Sequence, residues 1–113
     1  MFKLIPLTSG PIKADAGTVT FTGSLRGSTI KGGQDVKTYA GVDELVGKRG
    51  TLRIKAQNTS TESGFGYQGG VSTWSIAGGG GAYAGLKGGG HGTVVATPSR
   101  TAIGRYEGYV TAP

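Results

Sequence analysis

At 113 residues the chain is long enough for one domain with one core. Its 24 glycines follow no Gly-X-Y period, which excludes collagen, and the lack of cysteine excludes a disulfide framework and thiol chemistry. Twelve basic against 6 acidic residues give a formal charge of +6, which suits acidic partners in general. The basic residues are scattered, with Lys48-Arg49 the one adjacent pair, and this argues against a nucleic-acid-binding arm. The opening MFKLIPL is too short an apolar run for a signal peptide, and no membrane-spanning stretch follows. These features lead to the expectation of a cytoplasmic protein that is not membrane-bound.

Taken in order, residues 2–6 read as a short strand, with Pro6 and Pro11 suited to an edge or an exit. Residues 18–26 alternate clearly: Val19, Phe21 and Leu25 share one face, and the threonines the other. After a loop around Gly32-Gly33, residues 36–42 form the next strand. Residues 43–50 (DELVGKRG) read as a charged connection that could hold a single helical turn. Residues 51–57 put Leu52, Ile54 and Ala56 inward, with Arg53, Lys55 and Gln57 outward. Residues 64–68 place Phe65 and Tyr67 on one face. A Trp74 strand (71–77) then runs into a four-glycine hinge (78–81), a compact AYAGL turn, a strand over 91–97, and a last strand over 104–111.

That is about eight short strands with short connections and no crossover helix, so neighbours should be antiparallel. A closed barrel hides strand edges, and glycines on an inner face permit strong coiling. The expectation is a single all-β domain over residues 1–113, a small antiparallel eight-stranded β-barrel, with a β-sandwich as the structural alternative.

The stretch W-S-I-A-G-G-G-G-A-Y-A-G-L-K-G-G-G-H-G, Trp74 onward, resembles the signature of allene oxide cyclase-type barrels. That superfamily includes plant allene oxide cyclases, dirigent proteins, bacterial spirocyclases and a branch of small uncharacterised bacterial proteins. The matching residues are Gly79 and Gly81, Tyr83, Gly85-Leu86, and Gly88 and Gly90. The upstream TVTFTGSL and GTLRIKAQ are similar to that uncharacterised bacterial branch. The resemblance implies a ligand-holding barrel and a homo-oligomer, dimer or trimer. The motif is made mostly of backbone-shaping glycines, so it carries fold and leaves chemistry open.

His91 is the single histidine. It could act as a general acid or base, or be an ordinary strand-end residue. With no second ligand near it in sequence, no metal site is expected. Asp15, Asp35, Asp43 and Glu44 fall in expected loops. Glu107 shares a strand face with Arg105 and Tyr109. Turned inward, that face would bury a carboxylate able to polarise a substrate; turned outward, it is surface charge. The aromatics Tyr39, Phe65, Tyr67, Trp74, Tyr83, Tyr106 and Tyr109 suit a mostly apolar pocket with oriented hydroxyls, or they simply fill the barrel. No phosphate loop, dinucleotide fingerprint or Ser-His-Asp order occurs, so no cofactor is expected. Three functions fit: a module binding a small, mostly apolar molecule; a cofactor-independent cyclase or isomerase with Glu107 or His91 as the polar trigger; or an assembly protein with a filled barrel.

Overall fold

The computed structural model describes residues 1–7, 9–62, 66–99 and 101–113. Seven strands follow one another: β1 (Phe2–Leu4), β2 (Asp15–Lys31), β3 (Gln34–Gly47), β4 (Gly50–Glu62), β5 (Gln68–Gly81), β6 (Lys87–Ala96) and β7 (Ala102–Thr111). Each pairs antiparallel with its sequence neighbour, in the order β1 to β7. The molecule measures 45 × 24 × 24 Å. At about 3.3 Å per residue, strands of 13 or 14 residues such as β3, β4 and β5 span the long axis.

The fold is all-β and barrel-like, a single sheet curled into a half-barrel. Tyr106 on β7 reaches Asp43 on β3, although three strands lie between them in the sheet. The strand count is seven where the sequence suggests eight. Gly66 sits in a turn, and Gln68 already opens β5, which absorbs the Trp74 strand and the glycine hinge. Residues 63–65, Phe65 among them, lie outside the described residues.

The alternation expected in β4 is observed, with Leu52, Ile54 and Ala56 buried. On β2, Val19, Phe21 and Leu25 face inward, opposite Leu45, Asp43 and Tyr39. The reading of residues 43–50 as a connection needs correction, because β3 runs unbroken through Gly47. Asp43 and Leu45 are buried on its inner face. The neighbouring charge, Glu44, points outward and pairs with Arg53 on β4 at 3.1 Å. The acids expected in loops are therefore strand residues: Asp15 opens β2, and Asp35, Asp43 and Glu44 lie in β3.

The core sits at one end of the half-barrel. Leu45, Leu52, Ile54, Tyr83 and Leu86 form it, and Phe2, Leu4, Ile12, Trp74, Ile76 and Val110 pack against them. The glycine stretch earns its place by what it seats. A Cβ at Gly79 would lie 2.3 Å from the Tyr83 carbonyl oxygen, so only glycine lets the 82–85 turn fold Tyr83 back into the core. The register shift between Arg53 and Ile54 leaves Ala77 as the extra residue of a bulge, which bends β5 at this point.

Asp15 anchors the same end. Its carboxylate accepts bonds from the Tyr83 hydroxyl at 2.5 Å, and from the backbone amides of Ala16 (2.8 Å), Lys48 (3.0 Å) and Arg49 (3.1 Å). Gly47 leaves room for it, since a Cβ there would meet Asp15 Oδ2 at 2.3 Å. The Tyr83 bond, helped by the three amides, holds the Asp15 pKa down at about 2 against the opposing effect of burial. Burial, then the Asp15 bond and charge, push Tyr83 up to about 12. The unfolded carboxyl titrates near 3.9, so in acid the unfolded chain binds more protons. The Asp15 contribution is present above about pH 4 and is lost as pH falls towards 2. The Tyr83 contribution is present below about pH 10 and is lost as pH rises towards 12. Tyr83→Phe should therefore lower Tm at neutral pH by on the order of 5 °C. It should also flatten the acid limb of stability, and thermal melts from pH 2 to 7 check both effects.

Candidate functional site

Two neighbouring cross-strand rows build the middle of the inner face. One row reads Gly23, Gly41, Ala56, Trp74, Gly90 and Gly108 from β2 to β7. Its missing side chains are seats for aromatic rings. The Phe21 ring occupies the space above Gly23 and Gly41, and the Trp74 ring the space above Gly108. The Trp74 indole N–H donates to the carbonyls of His91 (3.3 Å) and Glu107 (3.2 Å), so its one polar atom is satisfied by backbone.

The next row reads Leu25, Tyr39, Asn58, Ser72, Gly92 and Tyr106. The Tyr106 ring lies over Gly92, where a Cβ would be 2.2 Å from Cδ1. It stacks on Trp74 with centroids 6.5 Å apart and planes 15° apart. Its hydroxyl donates to Asp43 Oδ2 at 3.4 Å. Ser72 is buried and makes a short hydrogen bond to Asn58 Oδ1. The result is a polar cluster of buried Asp43 and Ser72 with half-buried Tyr106 and Asn58, set beside apolar walls. Val19, Phe21 and Leu25, on the same face, stay 38%, 47% and 50% exposed because β2 lies at the open side of the curl.

Burial raises the Asp43 pKa, and the Tyr106 bond works against that rise. Burial also raises Tyr106, and the charge and bond of Asp43 add to it while the Ser72 hydroxyl opposes. Both groups thus favour their protonated forms more than they would in water. Side by side, the phenol and the carboxyl can donate to and accept from a carbonyl or hydroxyl.

The residues singled out from sequence are divided between the two faces. Tyr39, Trp74 and Tyr106 are inner-face residues of the two rows, and of these Trp74 and Tyr106 stack on each other. Tyr83 is 1% exposed and is committed to Asp15 in the core. Tyr67 is exposed beside the start of β5. His91, Glu107 and Tyr109 are on the outer face, since their registers alternate with those of the inner rows. His91 stands directly opposite Glu107. They help line an open trough of about 600 Å³ with Gln57, Thr73, Thr93 and Arg105. Glu107 is already paired with Arg105 at 3.0 Å, both side chains being largely exposed. Among the described residues no cluster of His, Asp and Glu could hold a metal ion, and no helix is long and apolar enough to cross a membrane.

Asp43, Asn58 and Ser72 were missed by sequence reasoning. The alternation Tyr39, Gly41, Asp43, Leu45 continues with no Gly-Pro break, and this is the signal that could have found Asp43. No protein-family model, curated protein or solved structure matches the chain.

The Tyr106 bond is what restrains Asp43. Tyr106→Phe should shift the Asp43 carboxyl titration further upward, with the Asp15 titration unmoved, as read by carboxyl-carbon NMR across pH.

Proposed function

We propose that the protein holds a small, mostly apolar molecule against the inner face of its curled sheet. The Asp43–Tyr106 pair binds the polar end, and Val19, Phe21, Leu25 and Trp74 provide the apolar wall. The observation that carries this reading is a buried carboxyl paired with a phenol, next to inner-face hydrophobic side chains that stay half-exposed. Such convergence of a few polar groups with apolar surface is how small-molecule sites are built. The likeness of the glycine motif to allene oxide cyclase-type barrels supports the same reading. A neutral hydrogen-bonding end fits the protonated tendency of Asp43, and the +6 charge of the chain also admits an anionic one.

Native mass spectrometry of the protein from its own host tests this, by seeking a small molecule released on denaturation. Asp43→Asn and Phe21→Asp should each lower its occupancy about tenfold or more, equivalent to about 1.4 kcal/mol. Asp43→Asn should leave Tm at pH 7 unchanged or raised. The raised Asp43 pKa means that ionising this carboxyl costs stability as pH rises from its unfolded value through its folded one. An empty protein would overturn the reading in favour of an assembly role, and a bound molecule whose occupancy is indifferent to both substitutions would overturn the placement of the site.

A second reading draws on the same pair. A carboxyl whose pKa burial raises, beside a phenol, is the equipment of a cofactor-independent cyclase or isomerase, in which the wall folds the substrate and Asp43 moves a proton. Under that reading Asp43→Asn retains the ligand but leaves it unconverted.

A further inference from the structure

We propose that the free edge of β2 is a two-fold interface with β2 of a second copy of this chain, centred on Thr22. The proposal stands on the strand edges and not on the ligand reading.

β1 covers β2 only at Asp15, Ala16 and Gly17. From Thr18 onward, among the described residues, the second edge of β2 has no partner. Long unpaired edges recruit other strands, and proteins usually blunt them with charge, proline or bulges. β7, the other end of the sheet, carries the outward Arg105–Glu107 pair. On β2, residues 16–25 (AGTVTFTGSL) have no charge and no proline and are rich in β-branched residues. The register shift between Leu25 and Gly27 then interrupts the ladder at Arg26. The uncovered edge continues to Lys31, but the part ahead of Gly27, where the ladder with β3 resumes, runs from Thr18 to Arg26, and the midpoint of that part is Thr22.

The occupant follows from self-complementarity. Directly opposed residues of an antiparallel pair lie on one face, so inward residues of one copy must meet inward residues of the other. The inward set is Val19, Phe21, Gly23 and Leu25. A two-fold axis at Thr22 satisfies this along the whole stretch. Val19 meets Leu25 of the second copy, and Phe21, whose ring already covers Gly23 and Gly41 of its own copy, stands opposite Gly23 of the second, so the two rings flank the axis. Outward, Thr20 meets Ser24 and Thr22 meets itself. A one-residue slip would oppose inward to outward side chains.

Charge permits the contact. Along β2 the nearest basic residues to the axis are the two copies of Arg26, about 27 Å apart, roughly three Debye lengths at physiological salt, and across the sheet the nearest is Lys55, two strands away in the Thr22 row. Area limits it. A ladder of about 30 Å on a sheet about 10 Å thick covers on the order of 600 Å² in total, well under the ~1,200 Å² of a stable complex. The dimer is accordingly reversible and concentration-dependent.

Sedimentation velocity over roughly a hundredfold concentration range, reaching the high micromolar, should show monomer giving way to dimer. Thr22→Lys places two ammonium groups across the axis and should leave monomer throughout. Mixing Thr22→Lys with Thr22→Glu should restore a dimer containing one of each. Because the chain has no cysteine, oxidation of Thr22→Cys should give a covalent dimer. Thr20→Cys alone should not cross-link, but Thr20→Cys mixed with Ser24→Cys should. Wild type that stays monomeric across the range, a Thr22→Lys variant that dimerises like wild type, or Thr20→Cys cross-linking as readily as Thr22→Cys would each overturn the proposal.

Discussion

One carboxylate ties the closed end of this half-barrel together. Asp15 begins β2, the amides of Lys48 and Arg49 come from the β3–β4 turn, and the Tyr83 hydroxyl comes from the β5–β6 turn. Three segments far apart in sequence thus share one acceptor. The aliphatic core of Leu45, Leu52, Ile54 and Leu86 gathers around Tyr83 immediately beside it. Burying a charge is tolerable here because every bond it receives comes from a donor fixed by the fold. The glycines at 47 and 79 are what allow the carboxylate and the ring to reach these positions.

Away from that end the packing rule changes. The middle of the sheet replaces an aliphatic core with aromatic rings laid over glycine backbone: Phe21 over Gly23 and Gly41, Trp74 over Gly108, Tyr106 over Gly92. Rings seated this way cover backbone without needing a second layer, and this suits a single sheet that, among the described residues, has no helix or second sheet to pack against. The two buried aspartates mark the contrast. Asp15, with four donors, is held ionised; Asp43, with Tyr106 as its side-chain donor, is pushed by burial towards its neutral form. The first is a fastening, and the second is a polar group with capacity to spare on the inner face.

The curl does not bring its two ends together as a ladder. β2 keeps an uncharged edge between β1 and the bulge at Arg26, whereas β7 carries an ion pair on its outer face. The part of that edge between β1 and the bulge spaces its inward positions evenly about Thr22, which is what the proposed isologous contact requires.

Much of this architecture is written locally in the chain. Period-2 alternation in residues 18–26 and 51–57, with short turns between them, determined the all-β antiparallel class and the inward faces of β2 and β4, because side-chain direction along a strand follows from backbone geometry alone. The glycine-rich stretch after Trp74 determined a tight return into β6. Only the tertiary structure decided that DELV continues β3, since the burial of Asp43 depends on a hydroxyl 63 residues away. Only it decided that His91 and Glu107 face outward while Tyr106 faces inward, because register between β6 and β7 follows from how every earlier strand is paired. And only it decided that the sheet ends with β2 exposed: local propensity makes strands, but whether two edges meet depends on the summed coiling of all seven.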